Sequence, residues 1–216
     1  MQDLTLVIGN KNYASWSLRA WILMKHVGLA FREVVIPLYT PEAQGALRKW
    51  SPSGRVPVLW DGALCVWDSL AICEYVAELA GQGWSPEPPG RAVARSACAE
   101  MHAGFSALRT EWPMNARARN RRTVMTGALK ADIERIDAIW KDCRERFGRN
   151  GPWLFGAYSI ADAMYAPVAL RFKTYGADVS AESRAYMATV LEDPILQEWV
   201  RAAEAEPWTM ARAEVG

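Results

Sequence analysis

Histidine is scarce in this chain of 216 residues: His26 and His102 are far apart and neither has paired carboxylates nearby. A zinc site draws its ligands mostly from Cys and His at short spacing, so no metal is expected. Cysteine is scarce too. Cys65, Cys73, Cys98 and Cys143 sit inside apolar runs and no Cys-x-x-Cys pair occurs. Four cysteines are too few for a disulfide framework in a chain this long, and they read as buried thiols of a reducing compartment. An excess of one charge is missing as well: 25 Lys and Arg face 24 Asp and Glu, for a net charge of +1. That balance supplies no global field to steer nucleic acid or an anionic membrane. No apolar run approaches the roughly 18 residues of a membrane span, and no basic stretch followed by an apolar segment opens the sequence. The expectation is a soluble, cytoplasmic protein with no nucleic-acid or membrane partner.

What the chain does have is a proline where a strand should begin. In Ser51-Pro52-Ser53-Gly54-Arg55-Val56-Pro57-Val58-Leu59, Pro57 lacks an N–H and belongs at the start or edge of a strand. An X-Pro bond in such a tight loop is the usual place for a cis peptide. Val56 would then present free backbone N–H and C=O groups, to which an extended peptide can pair as an added strand. Further on, Asp68-Ser69 precedes the apolar run 70–76 and reads as a capped helix start whose N–H groups favour an anion. A strand edge beside an anion-receptive helix end describes a site for a peptide carboxylate.

The segments around these features alternate. Residues 4–8 form a short run of strand formers closed by Gly9-Asn10, and 10–14 read as a loop. From Ser15, the residues Leu18, Trp21, Ile22 and Val27 recur at helical spacing until Gly28, with Ser15 or Ser17 available as the cap. Residues 31–36 read as a second strand, and Pro41-Glu42 opens a helix to about Trp50. Strands at 56–60 and 64–67 flank Asp61-Gly62, a favoured hairpin dipeptide, and a helix over 70–79 follows. The order β-α-β-α-β-β-α predicts an α/β thioredoxin-like domain over residues 1–80. Residues 81–90 hold three prolines and three glycines and mark a linker.

Beyond the linker strand signals fade, and residues 91–216 read as an all-α bundle. Helical spacing runs through 93–112 and again through 126–147, where Leu129, Ile133, Ile136, Trp140, Cys143 and Phe147 trace one stripe. Asp137 and Lys141 stand as an i, i+4 ion pair on that helix. Ser159-Ile160-Ala161-Asp162 has the form of a capping box with Asp in place of Glu, opening a helix that tolerates or breaks at Pro167. Two more helices fall at about 183–191 and 193–205. Arg117, Arg119, Arg121 and Arg122 read as a solvated helix end.

Four segments together resemble the glutathione transferase family in its soluble two-domain form. They are Tyr13-Ala14-Ser15-Trp16-Ser17-Leu18-Arg19, the proline loop 51–59, Trp67-Asp68-Ser69-Leu70-Ala71-Ile72, and Gly156 with Ser159-Ile160-Ala161-Asp162. The helix start is most similar to serine-type bacterial, zeta and tau-like members. The resemblance implies glutathione as co-substrate, with Val56 pairing the cysteinyl backbone beside a cis Pro57. It places Asp68 and Ser69 at the γ-glutamyl group, and Arg55 and Lys49 at the glycyl carboxylate. Ser15 is its choice for the hydroxyl that activates the thiol, with Ser17 and Tyr13 as alternatives. Met101, Phe105 and Trp112, with His102, are expected to line a pocket for a small hydrophobic electrophile. Glutathione-dependent cis-trans isomerisation of the maleylacetoacetate type, or ligand binding without catalysis, are the competing functions. A homodimer is expected by the same resemblance.

Overall fold

The computed structural model describes residues 3–216, in which four strands and nine α-helices follow one another. Strands β1 (Leu4–Gly9), β2 (Arg32–Ile36), β3 (Val58–Asp61) and β4 (Leu64–Trp67) form one mixed sheet in the order β2-β1-β3-β4. β1 and β2 are parallel, with Val7 opposite Val34; β1 and β3 are antiparallel, with Leu6 opposite Leu59. The β3–β4 hairpin turns through Gly62 at φ +56, one residue later than the Asp61-Gly62 pair alone suggests. Alternation along β1 divides the packing: Leu4, Leu6 and Ile8 enter the main core, whereas Val7 joins Ile36, Ala43, Leu47 and Val58 in a smaller cluster. Helices α1 (Ser15–His26) and α3 (Ser69–Ala80) therefore cover one face, and α2 (Ala43–Trp50) covers the other.

The remaining chain is helical: α4 (Pro88–Ala103), α5 (Ser106–Glu111), α6 (Gly127–Phe147), α7 (Ile160–Tyr175), α8 (Ala181–Glu192) and α9 (Pro194–Glu204), with a 3-10 turn at Ala211–Ala213. The helix expected over 93–112 is two helices, because the chain leaves α4 at Gly104 and Phe105 adopts φ +61. α7 runs unbroken through Pro167, and fifteen of its sixteen residues are buried, which makes it the central rod against α1 and α4. The Asp137–Lys141 pair does not form: Asp137 accepts from the N–H and hydroxyl of Ser180 at 3.1 and 2.7 Å, and Lys141 faces Glu145. A partner brought by the tertiary fold holds Asp137 better than one on an exposed helix face. The arginines are not a helix end either. Arg119 pairs with Glu204 at the end of α9 and Arg121 with Glu214 beyond it, so they pin the last turn of α9 and the segment after it.

The capping box at the start of α7 carries the most heavily bonded carboxylate. Asp162 accepts from the N–H groups of Leu154 and Ser159 and from the hydroxyls of Ser159 and Tyr186, all within 3.1 Å. Burial pushes its carboxyl up to about 6 against the pull of those four donors. Asp162→Asn would aim an amide NH2 at donors that need an acceptor. We expect a stability loss of about 3–5 kcal/mol, read as a lower urea midpoint at unchanged slope. A loss below about 1 kcal/mol would show that the box contributes little.

Candidate functional site

Two adjoining cavities of about 520 and 510 Å³ open between the sheet domain and the helices. Trp16 and Val56 line both, so they form the wall where the two meet. The first is a groove bounded by the proline loop, the start of α3 and His102. Buried Ser51 organises that loop: its hydroxyl donates to the Arg55 carbonyl at 2.7 Å and accepts from the Arg55 N–H at 3.1 Å. The Val56–Pro57 bond is cis, and Val56 has no backbone hydrogen-bond partner among the described residues. Asp68 caps α3, accepting from the N–H groups of Leu70 and Ala71 at 2.9 and 3.4 Å. It does so at φ +76, a conformation that costs a non-glycine residue on the order of 1–3 kcal/mol and that clusters at ligand sites. Its second oxygen lies 3.2 Å from His102 Nε2. The Ser69 hydroxyl and His102 Nδ1 are buried without a partner, so polar capacity is left over at this end of the groove.

The second cavity lies at the start of α1. Ala14, not a serine, occupies the N-cap of that helix, and neither Ser15 nor Ser17 caps it. Ser17 is fully buried and accepts the Gly9 N–H at 3.2 Å, which ties α1 to the end of β1. The Tyr13 hydroxyl donates to Glu214 at 2.6 Å and accepts from Arg117 at 3.0 Å. Ser15 differs: it accepts from Arg171 Nη2 at 3.2 Å and keeps its own hydrogen free to donate.

Cations gather around this point. Arg19 and Arg109 lie over the Trp16 ring, 4.3 and 4.5 Å from its centroid. Arg171 is buried in α7 and donates to the carbonyls of Leu108, Arg109 and Trp112 around the end of α5. Burial first, and then the neighbouring arginines, push Arg19 and Arg171 down to about 9. Nε and Nη1 of Arg19 have no partner. Three guanidiniums next to a helix N-terminus make this corner receptive to a negative charge. Burial raises all four cysteine thiols, Cys73 and Cys143 to about 12, Cys98 well above its ordinary value and Cys65 above it as well.

Of the residues singled out in the sequence, Arg55, Val56, Pro57, Asp68 and Ser69 line the groove, and Ser15 lines the second cavity. Lys49 lines neither; it is exposed on α2, with its ammonium near the Trp50 ring. Met101, Phe105 and Trp112 also line neither. They are buried in the main core, where Trp112 stacks on Tyr175 and meets the edge of Phe172. His102 belongs to the groove rather than to the second cavity. That cavity is built instead from Arg109, Met114, Arg171, Met210 and Arg212. A charge set among the apolar residues of 160–175 was the visible signal for Arg171.

A mixed four-stranded sheet followed by a helical bundle, with a groove at the head of α3, defines a two-domain protein of thioredoxin-like plus all-helical class. Residues 13–79 match the family model described as glutathione S-transferase, N-terminal domain, and residues 116–202 match glutathione S-transferase, C-terminal domain. The chain belongs to the glutathione S-transferase family. It is similar in fold to a glutathione transferase homolog from Burkholderia with bound glutathione: TM-score 0.72, 20% identity, covering 94% of this chain and 100% of that one. The tau class enzyme from mango, Mangifera indica, aligns with TM-score 0.71 at 18% identity, covering 94% and 96%. The theta class enzyme from Xanthomonas axonopodis pv. citri, with glutathione bound, gives TM-score 0.67 at 20% identity, covering 93% and 98%. Among curated proteins, dichloromethane dehalogenase of Methylorubrum extorquens is 40% identical over 57 residues, which span 26% of this chain and 20% of that protein. Among the described residues no cluster of His, Cys, Asp or Glu could hold a metal, and no helix is long and apolar enough to cross a membrane.

Arg19 is a buried cation whose Nε and Nη1 have no partner among the described residues, and such groups lower stability. Arg19→Met fills the same volume without that charge, and we expect the thermal midpoint to hold or rise, by the equivalent of about 0–3 kcal/mol. A loss above about 2 kcal/mol would mean that the guanidinium has partners in solution that satisfy it.

Proposed function

We propose that this protein is a glutathione S-transferase that holds glutathione in the groove and activates its thiol at Ser15 for attack on a small hydrophobic electrophile in the second cavity. The observation that carries the reading is the meeting of the two cavities at Trp16 and Val56, with Ser15, next to Trp16 in the chain, lining the second of them. The tripeptide would pair its cysteinyl backbone with Val56. Its γ-glutamyl end would reach the Ser69 hydroxyl, Asp68 and the head of α3, and Arg55 would take the glycyl carboxylate. Lys49 stands outside this arrangement.

The chemistry follows from charge. Ser15 accepts from Arg171 and directs its own hydrogen to the sulfur, while the N-terminus of α1 and the guanidiniums of Arg19, Arg109 and Arg171 favour the thiolate over the thiol. These effects lower the thiol pKa from its ordinary value of about 8.5 toward neutrality. The sulfur then forms a bond to the electrophilic carbon, and the displaced group leaves with the electron pair. The reading includes a homodimer in the cytoplasm, for which Leu64 and Trp67, half exposed on edge strand β4, offer apolar surface.

Calorimetry with glutathione, followed by thiolate absorbance of the complex, tests this. Ser15→Ala should raise the pKa of bound thiol by about one unit or more. Ser17→Ala should leave the thiolate in place but cost about 1 kcal/mol of stability, because the buried Gly9 N–H loses its acceptor. An unchanged thiolate in Ser15→Ala removes the assignment of that residue, and failure to take up glutathione removes the function.

A further inference from the structure

The second cavity is not uniformly apolar. Leu38, Pro113, Met114 and Met210 supply apolar surface, yet Arg109, Arg171 and Arg212 also line it and no Asp or Glu does. The nearby carboxylates are already committed. Asp132 accepts the Leu108 N–H at 2.9 Å, Glu206 accepts the N–H groups of Lys11 and Asn12, and Glu214 is held by Tyr13 and Arg121. Three cations therefore face one chamber with no counter-charge on its walls.

Two of the three have donors to spare. Arg109 uses Nε on the Gly104 carbonyl at 3.0 Å and Nη2 on the Met101 carbonyl, which leaves Nη1 without a partner among the described residues. Arg212 stacks on the Tyr39 ring, 3.8 Å from its centroid, touches the Tyr39 hydroxyl, and forms no ion pair among the described residues. A guanidinium fixed by stacking is pre-organised for a planar, two-oxygen anion. A neutral ligand offers these guanidiniums no charge-assisted hydrogen bond, whereas a carboxylate offers two acceptor oxygens.

We propose that the electrophile accepted by this cavity carries a carboxylate, held by Arg109 on α5 and Arg212 after α9, with its apolar body against Met114 and Met210. The inference rests on the transferase reading and names the substrate class of the same site. That burial and the neighbouring Arg109 depress Arg171 supports it, since an anion would relieve the same uncompensated charge.

The test is calorimetry of the full chain with three ligands: glutathione, S-(4-carboxybenzyl)glutathione and S-(4-carbamoylbenzyl)glutathione. The two conjugates differ only in the charge placed in the second cavity. The carboxylate is expected to bind about tenfold tighter than the amide, and Arg212→Gln is expected to reduce that ratio to about threefold or less. Arg212 is exposed, so its replacement does not put folding at risk. Equal affinities, or preference for the amide, overturn the inference and leave the glutathione site standing. So does binding of glutathione with neither conjugate. Absence of glutathione binding itself removes the proposed function and this inference with it.

Discussion

The hydrogen bond from Arg171 to Ser15 is the contact on which the arrangement of the site depends. It crosses between the helical domain and the sheet domain, over 156 residues of sequence. The same guanidinium gathers carbonyls around the end of α5, so α1, α5 and α7 are set relative to one another by one planar group. Trp16, one residue past Ser15, receives Arg19 and Arg109 over its ring. The site is thus an interface between two domains whose geometry is fixed by cations rather than by hydrophobic contact alone.

This arrangement lowers stability locally and is offset elsewhere. Buried guanidiniums without carboxylates, a cap residue at positive φ and unpartnered polar atoms at Ser69 and His102 all oppose folding. The offset comes from the continuous core around α7, where Trp140 sits among Tyr165, Phe172 and Tyr186, and from the four-donor carboxylate of Asp162. The loop before α1 is secured from the far end of the chain as well. Trp199 donates to the Lys11 carbonyl at 2.8 Å, and Glu206 accepts the N–H groups of Lys11 and Asn12. The stable part of the molecule holds the strained part in place.

Much of the fold was legible because it is written locally. The run of strand formers at β1, the α6 stripe, the Ser159–Asp162 box and the proline ahead of β3 each depend on a few neighbouring residues, and each has its structural counterpart. What could not be read depends on distant partners. Nothing near Asp137 announces Ser180, and nothing in the 93–112 pattern announces the left-handed turn at Phe105. The same limit explains the pocket. An apolar stripe such as Met101, Phe105 and Trp112 reads equally as cavity wall or core, and packing against α7 makes it core. The actual wall draws on Met210 and Arg212, whose position is set by Glu214 with Tyr13 and Arg121.

The partition shared by the two chambers has a thermodynamic meaning. Trp16 and Val56 present surface to both sides, so ligands in the two chambers would touch the same two residues. Under the proposed function, whatever factor a ligand in the groove applied to the affinity of one in the second cavity would be returned to it in equal measure. One indole ring would then stand as the partition between two bound molecules.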